Sequence, residues 1–98
     1  MKHFIVIIKY IVPIEKIDKY LAEHRDYLTK GYELKILLAS GPQNPRTGGI
    51  LIAKANSVQE LDKFCENDPF YSNSCATYEY LEFQPVKFQE DFRGWFES

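Results

Sequence analysis

The segment HFIVIIKYIV, residues 3–12, is β-branched and apolar almost without interruption. A run of this kind belongs inside a sheet, with hydrophobic neighbours on both faces, and it limits the folds open to the chain. Phe4, Val6 and Ile8 serve one face, and Ile5, Ile7 and Tyr10 are available to the other. Pro13 ends the strand and can occupy the first turn of a helix, where its missing N–H costs little. In that helix Ile14, Ile17, Leu21 and Leu28 recur at helical spacing, with Tyr20 and Tyr27 beside them. One position on the stripe, His24, is not apolar. Gly31 marks the helix end, there or a few residues further on.

LKILLASG (34–41) reads as a second strand and GGILIAKA (48–55) as a third, joined by the loop residues PQNPRTG. Ser57 with Glu60 three residues later has the capping-box spacing, opening a helix whose apolar face is Val58, Leu61, Phe64 and Cys65. Asp68-Pro69 stops it, because a residue before proline is pushed out of the helical region. ATYEYLEFQPVKF (76–88) alternates as a fourth strand.

The order βαββαβ in 98 residues predicts one α+β domain of ferredoxin-like type, an antiparallel sheet with both helices on one face. Its second face is too apolar to stay bare, so two copies are expected to pack sheet to sheet as a homodimer, a dimeric α+β barrel. We divide the chain into a domain at 1–87 and an aromatic tail at 88–98. In the tail Phe88, Phe92, Trp95 and Phe96 fall at helical spacing, suited to packing on the domain or its partner, or to covering a pocket.

A formal net charge of −2 and the lack of any basic run argue against nucleic acid or a membrane surface as partner. The first strand is too short to span a bilayer and has no cleavage site after it, so it reads as structure and not as a signal peptide. Cys65 and Cys75 form neither a disulfide framework nor a zinc pattern, which leads to the expectation of a cytoplasmic protein with reduced thiols. Phosphate loops, Gly-x-Gly-x-x-Gly, Gly-x-Ser-x-Gly and His-Glu-x-x-His are absent. His3 is expected to be exposed, and Ser40 has no triad signature around it. Cys65, at a helix C-terminus, is poorly placed for a thiolate.

Two residues stand out. His24 interrupts a buried stripe, and Asp68 lies beside Pro69-Phe70-Tyr71. Each has an ordinary reading, the one as a core histidine bonded to a carbonyl, the other as a turn aspartate capping nearby N–H groups. Counting rises, His24 lies about 15 Å along the first helix and the second helix climbs about 12 Å. Both residues then fall near the middle of strands about 23 Å long, so contact between them is allowed.

EHRDYL, ASGPQNPRTGGILIAKA and ENDPF together resemble the YCII-related family, in the subgroup with an Asn-Pro-Arg-Thr-Gly-Gly loop. The resemblance extends from the first strand through the fourth. It implies a ferredoxin-like domain dimerising through its sheets, with an active site made by His24 and Asp68. Family members usually carry a glycine just before the second strand, where this chain has Lys35, and the tail beyond Lys87 lies outside the shared pattern.

An aspartate bonded to one imidazole nitrogen fixes the tautomer and leaves the other nitrogen to move a proton. With no nucleophile in view, the expectation is acid–base chemistry on a small organic acid: isomerisation, elimination or decarboxylation, as a lyase or isomerase without cofactor or metal. Arg46 can hold a substrate carboxylate or stand as a solvated loop arginine, Gly48 and Gly49 let backbone N–H groups approach the same anion, and Tyr27 and Phe70, with Tyr20 and Tyr71, serve as pocket walls or as core. The alternatives are a non-catalytic module that binds or senses a small ligand, and a structural subunit. A haem or metal oxygenase is disfavoured because no second ligand stands beside His24.

Overall fold

In a computed structural model describing all 98 residues, the N-terminal run forms β1 (Lys2–Tyr10), an interior strand. β3 (Gly48–Ala55) pairs antiparallel on one side and β4 (Ala76–Phe83) on the other, with β2 (Leu37–Pro42) outside β3. The resulting order β2-β3-β1-β4 is the ferredoxin-like arrangement. α1 (Ile14–Glu33) and α2 (Val58–Glu66) cover one face, followed by the single turn α3 (Pro69–Ser72). Phe4, Val6 and Ile8 meet Ile17 of α1, Leu61 and Cys65 of α2 and Phe70 of α3 in the core. No helix is long and apolar enough to cross a membrane.

Tyr10 packs with Phe4, Val6 and Ile8 against the core, as the two-residue period of a strand requires, and not with Ile5 and Ile7. Pro13 is the cap preceding α1 and not part of its first turn; Ile14 and Val58, each first in its helix, stay partly exposed. Ser57 caps α2 by accepting the Glu60 N–H at 3.1 Å, as the spacing predicts. β4 ends at Phe83, short of the expected Phe88, because Pro85 has no N–H to continue a ladder.

α1 runs past Gly31 to Glu33. It closes with Ile36 N–H on the Gly31 carbonyl and Lys35 N–H on the Tyr32 carbonyl, both at 2.9 Å. That closure needs a left-handed residue, and Lys35 supplies it at φ 61°. The joint survives the missing glycine, with a lysine in a conformation that favours glycine. Gly31, inside the helix, instead lets Leu37 and Phe64 approach, since a Cβ there would stand 2.7 Å from each.

On the uncovered face Ile5 lies between Ile52 and Leu81, and Ile7 lies beside Ile50. Leu81 and Phe83 are exposed. One end of this face is closed by the tail, whose turn Glu90–Phe92 leads into α4 (Arg93–Glu97). Trp95 donates its indole N–H to the Lys35 carbonyl at 3.0 Å, and Lys54 donates to the Trp95 carbonyl at 2.7 Å and to Ser98 Oγ. His3 packs against Trp95 and Phe96 with ring centroids 5.6 Å away in each case. His3 is therefore buried, contrary to the expectation of an exposed strand end, because a segment 90 residues away folds over it. Burial, the N-terminal amine and Lys54 together hold its pKa below the ordinary histidine value.

Candidate active site

The helical period turns Leu21, His24 and Leu28 towards the sheet. α2 stops at Glu66, and Asp68 takes the extended conformation that Pro69 imposes, φ −68° and ψ 127°. It thereby caps α3: Asp68 Oδ1 accepts the Phe70 N–H at 3.0 Å. The same oxygen accepts His24 Nδ1 at 2.8 Å, across 44 residues of sequence. Oδ2 accepts the Tyr78 hydroxyl from β4 at 2.5 Å. Asp68 has no exposed surface, so three protein donors replace the water it would otherwise bind. The ordinary role of Asp68 as a cap and its contact with His24 hold together, because one oxygen does both.

An ionised carboxylate only accepts, so the hydrogen between His24 and Asp68 lies on Nδ1. Nε2 has no protein partner, and the only buried side-chain polar atom lacking one is His3 Nε2. His24 Nε2 is therefore open to solvent. The ring stacks on Phe70 with centroids 4.1 Å apart and planes 14° from parallel, which fixes its orientation from the face as Asp68 does from the edge. Burial foremost, then the Asp68 charge, pushes the Tyr78 pKa far up, so its phenol stays a donor.

His24 and Phe70 line a cavity of about 460 Å³ between α1, the sheet and the loop before β3. Tyr10, Leu21, Leu28 and Leu51 make its apolar surface, and Ser40 adds a hydroxyl. Its charged or chargeable residues are His24, Arg25 and Arg46, with no carboxylate among the lining side chains. No group of three His, Cys, Asp or Glu side chains comes together as a metal site.

Of the residues singled out in the sequence, His24, Arg46, Gly49 and Phe70 line this cavity and Asp68 lies directly behind it. Gly48 and Tyr27 do not. Gly48 faces β1, where a Cβ would sit 1.9 Å from the Ile8 carbonyl oxygen. Tyr27 is buried beside α2 and donates to the Phe64 carbonyl at 3.0 Å. Burial pushes the Cys65 thiol up to about 12, in keeping with its poor placement for a thiolate. Tyr78, Tyr10 and Arg25 belong to the site but are not among the site residues the sequence points to. The alternation of β4 signals that Tyr78 faces the core, but nothing local says that its hydroxyl ends on Asp68.

No curated protein sequence matches the chain. Among solved structures it resembles 5-chloro-2-hydroxyhydroquinone dehydrochlorinase (TftG) from Burkholderia phenoliruptrix AC1100, described in complex with 2,5-dihydroxybenzoquinone. The TM-score is 0.66 and the identity 24%, over 89% of this chain and 96% of that one. At that identity the likeness establishes the fold. The YCII-related domain matches residues 1–84, a span that holds every strand and every residue of the His24–Asp68 cavity, and the chain belongs to the YCII-related family.

Proposed function

We propose that this protein is a small enzyme moving a proton on a small organic acid, with His24 as the proton carrier and Asp68 as the group that orients it. The observation that carries the reading is the division of labour in one imidazole. Nδ1 is bonded to a fully buried carboxylate, and Nε2 has no protein partner beside a cavity whose charged lining is cationic. Such a ring takes a proton from a carbon or hydroxyl of the substrate at Nε2 and returns it elsewhere on the same molecule. Isomerisation needs no more than this; in an elimination the leaving group departs as an anion and Nε2, open to solvent, passes the proton to water. Arg25 and the Gly49 backbone serve to hold the acid, and Phe70 forms a wall. The similar dehydrochlorinase is named for an elimination and is described with a small ring ligand, which agrees with this class by analogy of fold.

The working unit in this reading is a homodimer, joined through Ile5, Ile7, Ile50, Ile52, Leu81 and Phe83, since an apolar face of that extent is rarely left open. Two free, buried cysteines suit a reducing cytoplasmic setting.

The test is ¹⁵N NMR of the imidazole nitrogens in the parent, Asp68→Asn and His24→Gln. The expected result is a single Nδ1–H tautomer for His24 in the parent and a tautomer mixture in Asp68→Asn, with turnover of unsaturated acids lost in both variants. Identical His24 signals in parent and Asp68→Asn would reduce His24 to a core histidine and remove the enzyme reading. Full turnover by a folded His24→Gln would do the same.

A further inference from the structure

Arg46, the residue that sequence reasoning assigns to a substrate carboxylate, is already engaged in the folded chain. Its Nη2 donates to Asp18 Oδ1 at 2.7 Å, joining the loop before β3 to α1 at the edge of the cavity. Both partners are partly exposed, 36% for the Arg46 side chain and 51% for Asp18, and such pairs hold weakly. The contact nevertheless sets an anionic oxygen against the cationic group that faces the cavity. Arg25, next to His24 on α1, lines the same cavity and takes part in none of the protein's five ion pairs. One of the two guanidinium groups at the cavity is thus neutralised and the other is not.

We infer that Asp18 sets the charge selectivity of this cavity: by neutralising Arg46 it leaves Arg25 as the single uncompensated anchor, so the cavity takes small acids with one carboxylate and discriminates against dicarboxylates. This rests on the organic-acid reading above. A monocarboxylate satisfies Arg25 and lays its apolar part against Leu21, Leu28 and Phe70. A second carboxylate meets Asp18 as a like charge and finds Arg46 already compensated. Asp18 touches no reacting atom here. It is a specificity-determining residue that acts through Arg46.

Crotonate and fumarate test this, because they share one trans four-carbon frame and differ in a methyl against a second carboxylate. Each is titrated at neutral pH and constant ionic strength into ¹⁵N-labelled parent, Asp18→Asn and Arg25→Gln, following the His24 and Arg25 side-chain signals. The parent is expected to bind crotonate the more tightly. Asp18→Asn, similar in size and at an exposed position, is expected to bind fumarate about five- to tenfold more tightly, with crotonate within about twofold of the parent. Arg25→Gln weakens both acids. An unchanged crotonate-to-fumarate ratio in Asp18→Asn, or tighter fumarate in the parent, overturns the selectivity and leaves the acid-binding reading standing. If neither acid perturbs the cavity in the parent or in Asp18→Asn, the acid-binding reading fails and the inference fails with it.

Discussion

Replacing Tyr78 by phenylalanine removes one oxygen atom from the structure and leaves the ring that packs against the core. That oxygen is the only protein donor to Asp68 Oδ2; the other two donors, His24 Nδ1 and the Phe70 N–H, both go to Oδ1. Asp68 is fully buried, so no bulk water stands ready to replace the lost bond. Leaving one oxygen of a buried carboxylate unpaired costs about 2–3 kcal/mol, the upper part of the range for a hydrogen bond to a charged group. Tyr80, two residues along the same strand, provides the control. Its hydroxyl donates to Asp62 Oδ1 at 2.7 Å, but Asp62 is partly exposed and also accepts Tyr71 at 3.4 Å. Tyr80→Phe should therefore cost about 1 kcal/mol or less. Urea unfolding of both variants beside the parent measures the difference, provided the slopes agree. The tautomer of His24, read by ¹⁵N NMR, should loosen in Tyr78→Phe and stay fixed in Tyr80→Phe. Equal losses of stability in the two variants, with His24 unmoved, would refute the claim that burial of Asp68 makes its hydrogen bonds matter.

Lys35→Gly should raise stability by about 0.5–1 kcal/mol, because the strain of a left-handed lysine exceeds the extra freedom glycine gains on unfolding; a lowered urea midpoint would count against it. Cys65 predicts a loss of stability in alkali. Its folded pKa of about 12 stands above the ordinary 9.0, so the native state keeps a proton that the unfolded chain releases. That contribution is complete below pH 9 and is lost by about 1.4 kcal/mol per pH unit as pH rises towards 12; Cys65→Ala should flatten the unfolding free energy between pH 9 and 11 by that amount. Ile7→Lys puts a charge at the middle of the uncovered sheet face, and light scattering should give a dimer for the parent and a folded monomer for the variant. A monomeric parent would remove the dimer from the proposal.

Much of this protein is decided locally and can be read from short stretches of sequence. The span of β3, the cap at Ser57 and the end of α2 before Pro69 follow from side-chain period, one hydroxyl and one ring closure. With these elements in order, the strand arrangement and the one-sided helices follow from how such units pack. His24 and Asp68 stand out for a local reason too, being polar groups among residues that must be buried. What those polar groups touch is another matter. The bond across 44 residues, the phenol of Tyr78 on Asp68, the capture of Arg46 by Asp18 and the burial of His3 under Trp95 are all contacts between segments distant in sequence. Each depends on which surfaces meet once the core has closed, and a side chain's own neighbours carry no record of that. Period and stereochemistry determine the elements; the partners of the polar groups are settled only by packing.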